Sequence, residues 1–300
     1  MVADKYIRDY NLRKLTSGEI IGQTMLEETN SMNVCKRALQ GSYNDRCEQQ
    51  HLAPWEQLKS FYNECNKIKI YISADKFVKF KRNKLPEDLE ISSGKMFRKV
   101  CSSRFCGKNI LKIQNCVNDI LVHTGYEIQF PSAMNINKLT EKLLTKAGHK
   151  ILVFRYTDVY DSHEIISKIH DALQDLNSGE TLILVGYSLL THLSVGLLYI
   201  ISSAFNSLKL EICSDLGSKI TLQKYSYSLK VLKWFLDIKA ASSDAQMKGK
   251  SIVKVIPASF LYECDLFFSL MDVNHWVIKS FVHYTINTLE GNMSNKESDS

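Results

Sequence analysis

No CxxC pair occurs in this chain, although it holds eight cysteines. Cys35, Cys47, Cys65, Cys101, Cys106, Cys116, Cys213 and Cys264 lie scattered along it. Structural zinc sites need ligands at short paired spacings, so no metal centre is expected. The thiols read as reduced and mostly buried, as in an intracellular protein. The start, MVADKYIRDYNLRK, is polar and charged and lacks a secretory-signal pattern. There is no internal repeat and no low-complexity tract, which sets aside repeat architectures. No glycine-rich loop follows an early strand. The one substitute, His123-Thr124-Gly125, holds a single glycine, so the usual cofactor cradle is missing. A serine nucleophile elbow is incomplete: Gly186-Tyr187-Ser188 begins it, but Leu190 stands where its second glycine belongs. His163-Glu164 with His170 lacks the spacing of a zinc helix, and these read as surface or helix-start residues.

An excess of one charge is missing too. Thirty-eight Lys and Arg against thirty-two Asp and Glu leave a net charge of +6, with a pI near 8.7. Any nucleic-acid surface must therefore be a local patch. Hydrophobic content of 45% with 23% charged residues supports a packed core over a disordered chain. From Thr181 to Leu208 there is no Asp, Glu, Lys or Arg. That length could cross a bilayer. It is interrupted by Gly186, Tyr187, Ser188, Thr191, His192, Ser194, Ser202, Ser203 and Asn206. A buried strand followed by a core helix is the better expectation.

The chain opens with helical patterns. Thr16-Ser17-Gly18-Glu19 can cap a helix through Ile20, Ile21, Met25 and Leu26, and a second covers 54–63 with Trp55, Leu58, Phe61 and Tyr62 on one face. The character changes at Lys67. Ile68, Ile70 and Ile72 alternate, and a second extended run follows from Phe77. This stretch carries Lys76, Lys79, Lys81, Arg82 and Lys84 with Phe77 and Phe80 between them. Arg98 and Arg104 follow in a loop over 92–109. Cations interleaved with aromatics suit phosphate contact and base stacking, and they equally suit the solvated face of an edge strand.

From Ile151 strands and helices alternate. Ile151 to Phe154 is a continuous apolar run. Asp161 starts a helix whose Ile165, Ile166, Ile169 and Leu173 share one face. Strand Thr181 to Val185, helix 194–205, strand 208–212 and an extended run through Ile220, Leu222 and Tyr225 follow. This order predicts an α/β layered fold with parallel strands. Helices are expected again over 230–237 and 261–289, where Phe267, Phe268, Met271, Trp276, Phe281, Val282 and Tyr284 offer a large apolar surface. The end, GNMSNKESDS, reads as a frayed tail. The organisation expected is a helical lead-in over 1–66, an α/β domain over 67–240, its closing helical segment over 241–290 and a disordered tail over 291–300.

The unit from Leu176 through Gly179 to Val185, the helix start Ser194-Val195-Gly196-Leu197, then Ser218-Lys219 and Gln223-Lys224-Tyr225 resembles the late half of FtsJ-like ribose methyltransferases. More narrowly it resembles cap-specific mRNA 2′-O-methyltransferases, above all the branch acting on the second transcribed nucleotide (cap 2). The resemblance is clearest over 150–226. It implies a Rossmann-like methyltransferase sheet with helices on both faces, S-adenosylmethionine as the family cofactor, capped mRNA as partner, and a nuclear or cytoplasmic location.

Family members orient and deprotonate a ribose 2′-hydroxyl with a Lys-Asp-Lys-Glu set. By the resemblance, Val185 stands where the second lysine belongs and Gln223 where the glutamate belongs, with Asp158 as the candidate aspartate. Two replaced positions and an absent glycine loop imply a degenerate domain without catalysis and with no cofactor of its own. It would be a C-terminal half that supports a catalytic methyltransferase domain of the same protein. The rival expectations are an active enzyme with a rearranged site and a protein-interaction module that docks through the aromatic C-terminal helices.

Overall fold

The computed structural model describes residues 54–67, 85–96, 99–144, 148–156, 161–213, 216–262 and 265–298. The helix expected over Ile20 to Leu26 and the basic run over 68–84 lie outside these residues. The described part is a mixed α/β fold with eight helices and two sheets. In chain order it runs α1 (Pro54–Lys67), β1 (Ser92–Lys95), α2 (Lys108–Thr124), α3 (Ala133–Leu144), β2 (His149–Val153), α4 (Ser162–Asp175) and β3 (Thr181–Val185). It continues α5 (His192–Ser202), β4 (Phe205–Cys213), β5 (Gly217–Tyr225), α6 (Leu229–Met247), β6 (Lys250–Lys254), α7 (Ala258–Tyr262) and α8 (Asp265–Ser298).

Local chemistry explains the starts. The Asp161 side chain accepts from the backbone N–H groups of His163 and Glu164, Thr191 from Ser194, and Ser228 from Val231. Each satisfies a donor that its helix start leaves without an intrahelical partner. On α4, Ile166, Ile169 and Leu173 are buried, as their spacing predicts. α3 begins at Ala133, and Ser132 Oγ accepts a first-turn N–H, from Asn135, at 3.3 Å.

The main sheet has the strand order β2-β3-β5-β4. β2 and β3 are parallel, joined through α4, and β4, reached through α5, runs in the same direction as both, but it is not their neighbour. β5 lies antiparallel beside β3, and β4 pairs antiparallel with β5 at the edge. Side chains account for the swap. Ile220, Thr221 and Leu222 of β5 are all buried, which suits a strand flanked on both sides. β4 carries Ser207, Lys209 and Glu211 on one face, which suits an edge.

Register divides the sheet into two faces. Leu152, Leu182, Leu184, Ile220, Leu222, Leu208 and Leu210 share one and join the main core. Ile151, Ile183 and Val185 share the other, under Leu139 and Leu143 of α3. That second face then turns polar toward β5 and β4, with Lys219, Thr221, Gln223, Lys209, Glu211 and Ser207.

α5 is the centre of the core, with His192 to Ile201 all buried. It packs on β4 and on β6, and a Cβ at Gly196 would stand 3.0 Å from Val255 Cγ2. A helix apolar all round must be covered all round, and this one is covered by protein. The uncharged stretch from Thr181 is thus a central strand and a central helix. Among the described residues no helix is long and apolar enough to cross a membrane.

β6 was not foreseen. It forms a two-stranded antiparallel ribbon with β1, in a place read from the sequence as loop and closing helix. On α8, Leu270, Val273, Val277, Ile278, Phe281, Val282, Ile286 and Leu289 are buried in the main core. Of the residues read from the sequence as an apolar surface there, Phe281 and Val282 are buried in the domain's own core. α8 runs on to Ser298, past the end expected at Leu289.

Candidate functional site

The carboxyl ends of the parallel strands β2 and β3 are where an open α/β sheet binds its ligand. Here they are filled by side chains and backbone. The Phe154 N–H donates to the Val185 carbonyl at 2.8 Å, and the Gly186 N–H donates to the Ser218 carbonyl at 2.8 Å. Gly186 has φ +68°, and a Cβ there would lie 2.2 Å from the Phe154 carbonyl oxygen, so only glycine lets the two strand ends meet. Phe154 and Tyr187 pack edge to face at 5.0 Å between centroids. Phe130 and Tyr156 meet the same way at 6.4 Å, and the Tyr156 N–H donates to the Phe130 carbonyl at 2.9 Å. All four rings are buried.

The loop from Gly186 to Thr191 is wholly buried, and side chains from distant elements satisfy its carbonyls. Ser218 Oγ donates to the Tyr187 carbonyl at 2.8 Å, Asn274 Nδ2 to that of Leu189 at 3.0 Å, and Ser103 Oγ to that of Leu190 at 2.6 Å. Tyr187 donates its hydroxyl to the Ser194 carbonyl at 2.9 Å. Ser188 is buried inside this loop, with its Oγ unpartnered among the described residues.

Val185 is fully buried, packed with Ile183 and Leu216 and against Leu139, Leu143, Ile151 and Cys213. Gln223 is exposed and accepts from Ser207 Oγ at 3.1 Å. Both lie on the same sheet face but not together. Val185 pairs with Lys219, and Gln223 lies four residues further along β5, about 13 Å away at strand spacing. One hydroxyl cannot touch both positions. The residue facing Val185 is instead Lys219, whose Nζ contacts Glu211 Oε2 at 2.8 Å, while Lys209 holds Oε1 at 2.6 Å. Burial pushes the Glu211 carboxyl up, and the hydrogen bonds from the two lysines outweigh it, so the group sits below the usual carboxylate range. Nothing local in the sequence announces Lys219, because its neighbour depends on β5 entering the sheet beside β3.

Asp158, Lys76, Lys79, Lys81, Arg82, Lys84 and Arg98 lie outside the described residues. Arg104 is described: it is half-buried, and its Nε is buried without a hydrogen-bond partner. Lys99, from the same basic loop, is paired with Asp119 at 2.9 Å. His123-Thr124-Gly125 is the end of α2. Gly125, at φ +71°, returns its N–H to the carbonyls of the helix, which makes it a helix cap and not a phosphate cradle. No group of three or more His, Cys, Asp or Glu among the described residues could hold a metal.

These observations bear on S-adenosylmethionine. The strand ends that would cradle it are closed by four buried rings, and the only glycine turn proposed for it caps a helix. The described residues do not fit the cofactor. No protein-family model matches the chain, and no curated protein matches it.

Proposed function

We propose that this chain is a non-catalytic, Rossmann-like methyltransferase domain of a cap 2′-O-methyltransferase, bracing a catalytic domain and helping to hold capped RNA. One observation carries the reading. The position where the resemblance calls for a catalytic lysine is a fully buried valine, packed under α3 among Ile183, Leu216, Leu139 and Leu143. A side chain there is a packing residue and reaches no substrate. The order strand, helix, strand, buried loop, helix, strand and return strand supports the same reading. RNA contact is assigned to Lys76, Lys79, Lys81, Arg82 and Lys84, with Arg98 and Arg104. The family cofactor S-adenosylmethionine belongs to the catalytic half in this reading.

A methyl-transfer assay tests it, with labelled S-adenosylmethionine and capped RNA already methylated at the first nucleotide. Cofactor binding is followed in parallel by calorimetry. Neither transfer nor binding is expected from this chain. For the RNA role, charge reversal at Lys79, Lys81 and Arg82 should weaken RNA binding at low salt without unfolding the domain. Each lost phosphate contact should lower the salt slope by about 0.7 for a single strand. Unchanged affinity in that variant removes the RNA assignment.

The second reading, an active enzyme with a rearranged site, is favoured by Lys219 standing directly across from Val185. Transfer by the wild-type chain that disappears in Lys219→Met would establish it.

A further inference from the structure

α6 is apolar on two opposite faces. Val231, Trp234, Phe235, Ile238 and Ala245 are buried in the domain's own core. The face opposite them is polar in an ordinary surface helix. Here Leu229, Leu236 and Met247 stand on it, 72%, 51% and 81% exposed, with the exposed Ala240 between them. At about 100° per residue these four positions fall within about 20° of one line, which runs about five turns along the helix. Single exposed leucines are common, whereas four aligned apolar side chains form a seam. The whole of α6 is described, as are α4 and β6 that pack on it, and the seam is left open.

The charges beside the seam are segregated along the helix. Lys233 flanks its first half, exposed and without an ion pair among the described residues. Asp244 flanks its second half, on the same side. Its Oδ2 accepts from Lys248 at 2.7 Å, which leaves Oδ1 open. A parallel copy of α6 would bring Lys233 level with Lys233 and Asp244 level with Asp244. An antiparallel copy, turned about a two-fold axis at the level of Ile238, does the opposite. Leu229 then lies level with Met247 of the second copy, and Leu236 with Ala240, a large residue against a small one. Lys233 comes within one residue, about 1.5 Å of rise, of Asp244 on the facing helix. Antiparallel alignment also sets opposite ends of the two helix dipoles side by side.

We propose that α6 is the contact face of a homodimer, in which two copies pair antiparallel through Leu229, Leu236, Ala240 and Met247 with Lys233 against Asp244. A two-fold interface has to be self-complementary, and this stripe is so in both shape and charge. One helix from each copy covers less than the roughly 1,200 Å² of a standard interface, so dissociation in the micromolar range is expected. The seam shares no residue with the closed strand ends or the basic run. It therefore stands without the cap-methyltransferase reading.

Sedimentation equilibrium of the full chain tests it, under reducing conditions and over micromolar concentrations. Wild type should pass from monomer to dimer as concentration rises. Leu236→Glu alters an exposed side chain, so it should stay monomeric while keeping the circular dichroism spectrum and melting temperature of dilute wild type. Lys233→Asp and Asp244→Lys should each weaken the dimer roughly tenfold, and the chain carrying both should recover wild-type association. That recovery identifies the antiparallel pairing, since a parallel pair gains nothing from the exchange. Wild type that stays monomeric throughout overturns the proposal and leaves the seam to a different protein. A dimer that Leu236→Glu leaves intact overturns it too, as does a double variant no better than the single ones.

Discussion

Val185→Lys, which puts in place the lysine that the proposed reading finds missing, tests the closed strand end most directly. Val185 has no exposed surface and sits among Ile183, Leu216, Leu139, Leu143, Ile151 and Cys213. Val185→Ala, the reference, removes two methyl-sized groups and leaves a small cavity, about 2 kcal/mol together. Lysine must do worse. Its ammonium has to be buried charged or be neutralised, and a depression of ~3 pKa units costs roughly 4 kcal/mol. In a chain of this size each kcal/mol is worth about 2–4 °C. The melting temperature should thus fall by about 4–8 °C for alanine and by roughly 10 °C or more for lysine, read by circular dichroism. No methyl transfer should appear in the lysine variant. A Val185→Lys protein that melts like wild type would refute the reasoning, because water would then reach the end of β3 and the packing under α3 would not be closed.

Three further outcomes follow from the same geometry. Gly186→Ala should cost roughly 3 kcal/mol or more, since its Cβ meets the Phe154 carbonyl. Gly179→Ala, with φ +88° but open space, should cost about 1–2 kcal/mol of backbone strain; equal effects in denaturant titrations would contradict the assigned contact. Burial, with Lys254 and Arg104 nearby, lowers the His192 imidazole to about 4. Above pH 6.5 the ring is neutral in both states. As pH falls below 6.5 only the unfolded chain takes the proton, so stability drops by roughly 3 kcal/mol by about pH 4. The His192 part of that slope should be lost in His192→Gln, leaving the part from His275, which burial also lowers. Burial pushes the thiols of Cys106 to about 12 and Cys65 to about 11, so neither should be alkylated in the native state at pH 8, whereas both should react on unfolding, as read by mass spectrometry.

How much of this was legible depended on whether the signal was local. The face of α4 follows from Ile166, Ile169 and Leu173, and β3 from four apolar residues before a glycine, because period and punctuation are properties of the chain itself. The partner of β3 was not legible. β4 and β5 both read as strands after α5, and their order in the sheet is decided by which one buries both faces. Ser92-Ser93-Gly94-Lys95 has no apolar alternation, so β1 is a strand only because β6 lies opposite. At the candidate site, the burial of Val185 was implicit in the run Thr181 to Val185, but the distance from Val185 to Gln223 was not. Counting along β5 cannot reveal which residue faces the end of β3. Arg104 was singled out as one cation of a basic loop, whereas its neighbours Ser103 and Phe105 meet Leu190 and His192, residues far along the chain.

The central position of α5 also orders events during synthesis. This helix leaves the ribosome well before Val255 and Ile256, which close over one of its sides. Until β6 and α8 emerge, the sides of this uncharged helix that they cover stay open, and a nascent chain in that condition is prone to self-association. Translation of the stretch between α5 and β6 is therefore the vulnerable interval. A pause or truncation there would yield an insoluble product, whereas the same pause after α8 begins would be harmless.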